Sequence, residues 1–278
     1  RSPSRGLGDV YKRQKQNDVA LRVARAKENP GCMPSNVQGC GNFLIHDWVQ
    51  GDIVYNQASP ELFEKMLYWC EQKLWLPAQA PNSAQICKDF YHKKTLERLQ
   101  QFRTKYADWS EPRSVNGTEV RTLDQYLDNI DWDSLCNNHA WRFIHGDLHF
   151  DNTIYNPQTD QFTVIDWRTD FGGSLSGDLY YDLAKMLGGL WLSYKAIKND
   201  EFHYTENCDS ATISVPSVPD VEEYQEILKN WIIKHGLDWN KVLTLVPLIY
   251  LNMSPLHDYP FDKFLVSLSQ YHFQKLYE

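Results

Sequence analysis

The chain has 278 residues, 28 Lys+Arg against 36 Asp+Glu, and a formal net charge of −8. That length suffices for a buried core in one large domain or two modest ones, and 42% apolar with 23% charged residues argues against global disorder. The acidic balance disfavours a general binder of nucleic-acid backbones, and no run of about 18 apolar residues is present to span a membrane. The six cysteines (Cys32, Cys40, Cys70, Cys87, Cys136, Cys208) are scattered without a C-x-x-C pair. They read as reduced thiols of a cytoplasmic protein rather than a disulfide frame or a zinc site.

Residues 1–14 carry four basic residues and one acid, without apolar periodicity. They resemble the translated adaptor text that contaminates assembled gene fragments, so the expectation is a non-native tail. Residues 17–28 read as a short helix that stops before Pro30. Residues 42–49 have strand character and close on Gln50-Gly51-Asp52. Ser59 is an N-cap with Pro60 in the first turn. The helix behind it carries Leu62, Met66, Cys70 and Leu74 at spacings of four, beside Phe63 and Leu67. Pro77 and Pro81 end it.

A second helix is expected over 84–107, a turn-rich link over 112–118 and a shorter helix over 119–130. Residues 141–144 are β-like. Two short β runs, 153–155 and 162–165, flank a compact polar loop and suggest a hairpin. A long helix follows over 177–197, then a loop over 199–218. The chain closes on helices over 220–235, stopped by Gly236, over 239–252, kinked at Pro247, and over 261–277. The order of elements is α+β with a helical majority, and no internal repeat is visible.

If the hairpin loop centres on Thr159, Thr153 faces Ile165 and Asn152 faces Asp166. Directly opposed residues lie about 5 Å apart. An amide oxygen and a carboxylate would then converge at the open end of the hairpin, a donor pair suited to Mg²⁺ together with substrate phosphates. Asp147 stands five residues before Asn152, in a loop leaving a short strand, where a carboxylate can take the proton of an attacking hydroxyl. One base and two metal ligands are the minimal parts for phosphoryl transfer.

Three stretches carry a resemblance: His145-Gly-Asp147-Leu-His149-Phe-Asp151-Asn152, then Val164-Ile-Asp166-Trp167, then Gly177-Asp178-Leu-Tyr-Tyr-Asp182-Leu-Ala184. Together, in this order and spacing, they are similar to the aminoglycoside phosphotransferase and choline kinase family, small-molecule relatives of protein kinases. The resemblance implies a protein-kinase-like α+β fold. It makes Asp147 the catalytic base, Asn152 and Asp166 the Mg²⁺ ligands, His145 a support of the catalytic loop and Asp182 its brace from the following helix. It makes Ile45–Val49, followed by Gly51, the hinge whose backbone at Asp47, Trp48 and Val49 receives the adenine of ATP. His149 and Asp151 read as solvated loop polarity.

The family's cleft lies after the metal-binding strand, where Asp170, Asp178, Tyr180, Tyr181 and Trp191 fall. An acidic, aromatic wall suits a cationic amino alcohol or an aminoglycoside. It would equally suit a sugar. Helical packing is the alternative for Tyr180 and Trp191. Arg168 pairs with Asp170 or Asp178, or approaches substrate.

Departures count as well. Between Lys15 and Gly41 there is no G-x-G-x-x-G and no strand lysine of the V-A-I-K kind, Gly39-Cys-Gly41 stands too close to the hinge, and Lys27 and Glu28 read as a solvated helix face. The expected division is therefore a non-native tail over 1–14, a remnant of the small lobe and hinge over 15–52, and the helical large lobe over 53–278. The intact gene product is expected to be an ATP-dependent kinase whose upstream small lobe is lost here, and the chain as written is expected to bind ATP poorly and to be nearly inactive. Two further readings stay open at this point. One is a metal-dependent phosphoester hydrolase built on His145-x-Asp147-x-His149 with Asp166. The other is a non-catalytic pseudokinase scaffold.

Overall fold

The computed structural model describes residues 9–13 and 16–278. The rest of the tail expected over 1–14 lies outside the described residues. The chain divides into two compact units. The first takes the chain up to Pro81 together with Ala140–Asp182; the second takes Asn82–His139 and Leu183–Glu278.

In the first unit, the strand Phe43–Asp47 is central in a three-stranded antiparallel sheet. It pairs with Asp9–Arg13 (Tyr11 opposite Ile45) and with Gln38–Cys40 (Gly39 opposite Leu44). Part of the segment expected as a tail is therefore a strand on this sheet. The helix Gln16–Glu28 buries Val19 and Ala26, one helical face. It comes so close to the sheet that a Cβ on Gly39 would stand 2.7 Å from Val19. Helical structure stops at Asn29, because Pro30 has no N–H to donate and restricts the residue before it.

Ser59 caps the helix Pro60–Trp69 as expected, its Oγ accepting from the Leu62 N–H at 3.2 Å. Phe63, Met66 and Leu67 are its buried stripe, and Phe63 meets Phe150 edge-on at 5.4 Å. The last turn widens into a π-turn, Cys70–Leu74, that leads into the buried Trp75.

The hairpin forms from Thr153–Asn156 and Gln161–Val164, with Asp52–Ile53 as a third strand. Its register differs by one residue from the expected one: Thr153 faces Val164, not Ile165. The cause is the turn. Four residues, Pro157–Asp160, form it, and Asp160 closes it at φ +58°, so the centre falls between Gln158 and Thr159. Asp160 is held there by the Tyr155 hydroxyl at 2.7 Å and by Lys65.

In the second unit the helix expected over 84–107 runs as Ser83–Lys88, a π-turn, and Lys94–Lys105. The stretches expected as a link and a loop, 112–118 and 199–218, instead supply a four-stranded sheet. Its order is His203–Asn207, Ser210–Ser214, Ser114–Val115 and Thr118–Glu119. Of the helix expected over 119–130, only Leu123–Asp128 forms, started by a Thr122/Gln125 capping box, and Asp131 caps a further short helix, Trp132–Asn137.

The long helix is Leu179–Trp191, and Ser193 caps a separate turn, Tyr194–Lys198. Val221–Lys234, Trp239–Met253 and Phe261–Leu276 complete the unit. Leu245, Leu251, Phe264 and Leu265 form the centre of its core. All six cysteines are free. Among the described residues no helix is long and apolar enough to cross a membrane.

Candidate active site

Apart from Trp191, the residues expected at the site belong to the first unit. The loop after the short strand Trp141–Arg142 is fixed by His145, which is fully buried. Its Nδ1 accepts from the Asp147 N–H at 3.1 Å, so its proton is on Nε2, which donates to the Ile165 carbonyl at 2.9 Å. Burial pushes its pKa down to about 3, so the ring is neutral. With both nitrogens committed, His145 has no lone pair for a metal, which removes the hydrolase cluster suggested by the spacing of residues 145, 147 and 149.

Gly146 follows at φ +83°, and a Cβ there would stand 2.6 Å from the Cβ of Arg168. Only glycine fits that backbone. The two amides of this turn are taken by Asp182, buried on the following helix. Its Oδ2 accepts from His145 N at 2.7 Å and its Oδ1 from Gly146 N at 2.6 Å. Trp75 Nε1 adds a third bond at 3.0 Å. Burial still raises the Asp182 pKa to about 6, against these donors and the nearby Arg25.

Arg25 is a residue that sequence reasoning missed. From the first helix its guanidinium donates to the carbonyls of Ile144, His145, Arg168 and Leu175. It thereby joins the His145 loop to the segment after Asp166. Desolvation lowers its pKa to about 10. The available signal was a second arginine three residues after Arg22, on the same side of a helix whose buried face carries Val19 and Ala26.

Asp147 and Asn152 stand further along the same loop. Asp147 keeps 41% of its side-chain surface exposed, whereas Asn152 is buried. The Asn152 Nδ2 donates to the Asp147 carbonyl at 2.8 Å and lies 3.0 Å from His149 Nε2. A carbonyl only accepts, so the amide orientation is fixed and Oδ1 faces away, a hard oxygen free of those two bonds. Nδ2 also lies 3.3 Å from the Asp147 carboxylate. Asp147 and Asn152 are thus one assembly.

His149 belongs to that assembly: it is buried, with Nδ1 3.7 Å from Asp151. Asp151 is only 9% exposed at its side chain. The expectation of solvated loop polarity for both is corrected. A histidine in a polar loop sequence gives no sign that the loop folds back on it.

Asp166 leaves the strand at φ +59° and is exposed. Because of the one-residue register shift, Asn152 lies beside Ile165, whose N–H donates to the Asn152 carbonyl at 2.9 Å. The left-handed turn at Asp166, one residue later, carries that side chain out of the ladder. Trp167, fully buried, anchors the turn by donating to the Arg22 carbonyl at 3.0 Å. Arg22 itself lies in the field of Asp166, Asp18 and Asp147, and burial lowers its pKa against them.

Of the residues expected at the acceptor, Asp178 and Tyr181 are instead buried. Asp178 accepts from Ala140 N at 3.0 Å and ties the short strands together. Tyr181 meets Phe171 edge-on at 5.7 Å. Tyr180 is buried as well, and Trp191 stacks on His272 at 4.5 Å, so packing accounts for both. Arg168 donates to the Asp170 backbone carbonyl at 2.9 Å rather than to a carboxylate, and Asp170 accepts from Gly173 N at 3.0 Å. Asp47, Trp48 and Val49 fall in the connection from the central strand to Asp52–Ile53. There Asp47 N donates to Ser35 O and Trp48 is exposed.

Hard oxygen donors on Asn152 and Asp166 suit Mg²⁺, and among the described residues no group of three or more His, Cys, Asp or Glu is placed to hold a metal by itself. That pattern fits a cation completed by substrate phosphates.

A search of curated proteins found no match. Among solved structures, an ethanolamine kinase of Plasmodium vivax superposes with a TM-score of 0.52 at 12% identity, over 95% of this chain and 74% of that one. A choline/ethanolamine kinase family protein of Mesorhizobium loti superposes with a TM-score of 0.50 at 12% identity, over 99% and 84%. The fold is the protein-kinase-like α+β fold that these structures share. The phosphotransferase enzyme family (APH) matches over residues 8–202. That stretch contains the His145 loop, the Asp166 turn and the Asp182 brace, and the chain belongs to this phosphotransferase family.

Proposed function

We propose that the chain transfers the γ-phosphate of ATP to a hydroxyl of a small molecule. Asp147 takes the hydroxyl proton; Asn152 through Oδ1 and Asp166 through its carboxylate hold Mg²⁺. The observation that carries this reading is the Asn152 amide, bonded to the Asp147 carbonyl and turned so that its oxygen is left for a cation. A base and a metal ligand locked in one loop need no rearrangement when substrate arrives. The metal, when bound, offsets the charge of the phosphates.

Everything else in the proposal concerns positioning. His145, Asp182 and Arg25 hold the loop from three directions. The hinge backbone at Asp47, Trp48 and Val49 receives the adenine. Arg168 and Asp170 stand nearest the acceptor, since Asp178 and Tyr181 are packed inside. The acceptor is an amino alcohol such as ethanolamine or choline, a sugar or an aminoglycoside. Ethanolamine, named for the Plasmodium vivax neighbour, is the first to try.

Metal binding distinguishes this enzyme from a metallohydrolase. Mn²⁺, followed by its paramagnetic resonance signal, should bind weakly to the chain alone and at least about tenfold more tightly with ATP, because phosphates complete the shell. Asp166→Ala should remove that gain. Tight Mn²⁺ binding without nucleotide would overturn the reading.

A further inference from the structure

His149 is buried in the His145 loop, yet it neither takes the hydroxyl proton nor holds the metal in the proposed reaction. Its place is set by the backbone. Phe150–Asn152 is a single 3₁₀ turn, closed by Asn152 N on the His149 carbonyl at 3.0 Å. Thr153 Oγ1 reaches the same carbonyl at 3.4 Å. A 3₁₀ turn repeats every three residues, which returns Asn152 to the side of the loop that His149 occupies. The imidazole Nε2 and the amide Nδ2 stand 3.0 Å apart.

The partners fix which ring nitrogen carries the proton. Asn152 Nδ2 donates one hydrogen to the Asp147 carbonyl at 2.8 Å, and a carbonyl only accepts. The atom facing His149 is therefore a donor, and Nε2 accepts from it. The ring proton then sits on Nδ1, 3.7 Å from the Asp151 carboxylate. That separation exceeds a hydrogen bond, but neither side chain is more than 9% exposed, so little water screens the attraction. At the other end of the ring, Asp147 Oδ2 lies 3.9 Å from Nε2. A lone pair there offers Asp147 no proton, so the proposed base keeps its charge beside a histidine.

We infer that His149 is a positioning residue of the metal site: through its Nε2 lone pair it holds and polarises the Asn152 amide, so that Oδ1 is presented to Mg²⁺. The inference rests on the kinase reading above. Without the imidazole, the second hydrogen of Nδ2 has the Asp147 carboxylate, 3.3 Å away, to turn to. The proposed base and the proposed metal ligand would then bind each other. With His149 as acceptor, both amide hydrogens are engaged and the carboxylate is left to the substrate. Donation of both hydrogens also moves electron density along the amide to Oδ1, which strengthens it as a ligand.

The test is Mn²⁺ binding with ATP present, followed by paramagnetic resonance, for the wild type, His149→Leu and His149→Gln, together with nitrogen NMR of the wild-type imidazole. Glutamine places an acceptor oxygen near the reach of Nε2, and leucine fills similar space without one. His149→Leu should weaken Mn²⁺ about tenfold or more, the usual loss when the outer partner of a metal ligand is removed. His149→Gln should recover most of that loss. ATP without metal should bind all three proteins alike. The wild-type ring should be protonated on Nδ1 and bare on Nε2. Three results would overturn the inference: His149→Leu binding Mn²⁺ like the wild type, His149→Gln losing as much as His149→Leu, or a wild-type ring protonated on Nε2. Should His149→Leu fail to fold, His149→Asn, whose shorter amide falls short of the Nε2 position, takes its place with the same expected loss. A wild type whose Mn²⁺ binding gains nothing from ATP would overturn the kinase reading itself.

Discussion

Asp182→Asn separates two effects that the wild type combines. The carboxylate accepts three hydrogen bonds, from His145 N, Gly146 N and Trp75 Nε1. An asparagine keeps one acceptor oxygen and sets an NH₂ against a buried N–H, which costs about 1.5–3 kcal/mol. Against this, the ionised carboxylate is penalised by burial: its pKa is raised from about 3.8 to about 6. A carboxyl with a raised folded pKa gives stability that is present below its unfolded value and lost as pH rises through the folded one. Asparagine has no such dependence. The stability of the wild type relative to the variant should therefore rise by about 2 kcal/mol from near pH 7 to near pH 4.5. Urea unfolding of both proteins at the two pH values measures it, and the subtraction cancels every other titrating group. A flat difference, or one of opposite sign, would show that Arg25 and the three donors outweigh burial, and the electrostatic account of the brace would fail.

Two shorter predictions test the same loop. Gly146→Ala forces a Cβ into a left-handed backbone and against Arg168, so it should destabilise by at least about 2 kcal/mol and remove activity; a loss under about 0.5 kcal/mol in urea unfolding would contradict that geometry. His145 should stay neutral with its proton on Nε2 down to near pH 4, read from nitrogen NMR shifts. As a base with a depressed folded pKa, it contributes stability present above about 6.5 and lost as pH falls toward about 3.

The loop and brace of the candidate site follow short motifs, whereas its expected acceptor wall and the facing of Asn152 and Asp166 were not legible. His145, Asp147, Asn152, Asp166 and Asp182 fall within short motifs whose spacing is local, and local spacing survives folding. The hairpin was legible except for its register, which depends on whether a turn takes an odd or even number of residues; Asp160 in a left-handed conformation decided that. The strands His203–Asn207 and Ser210–Ser214 were hidden because each is short and polar on one side, and the second pairs in parallel with Ser114–Val115 about a hundred residues away. Arg25 and His149 were missed for a common reason. A charged or polar residue reads as surface until its long-range partners are known, and here those partners are backbone carbonyls and an asparagine amide.

Phosphoryl transfer from γ-labelled ATP to ethanolamine, choline, sugars and aminoglycosides, in the wild type and in Asp147→Asn, tests the central assignment most directly. The variant keeps the shape of the loop and loses only the proton acceptor. The account predicts Mg²⁺-dependent labelling of a hydroxyl acceptor by the wild type, lowered about 10²–10⁴-fold in Asp147→Asn with MgATP affinity unchanged. Undiminished transfer by the variant, or release of inorganic phosphate alone by the wild type, would contradict it.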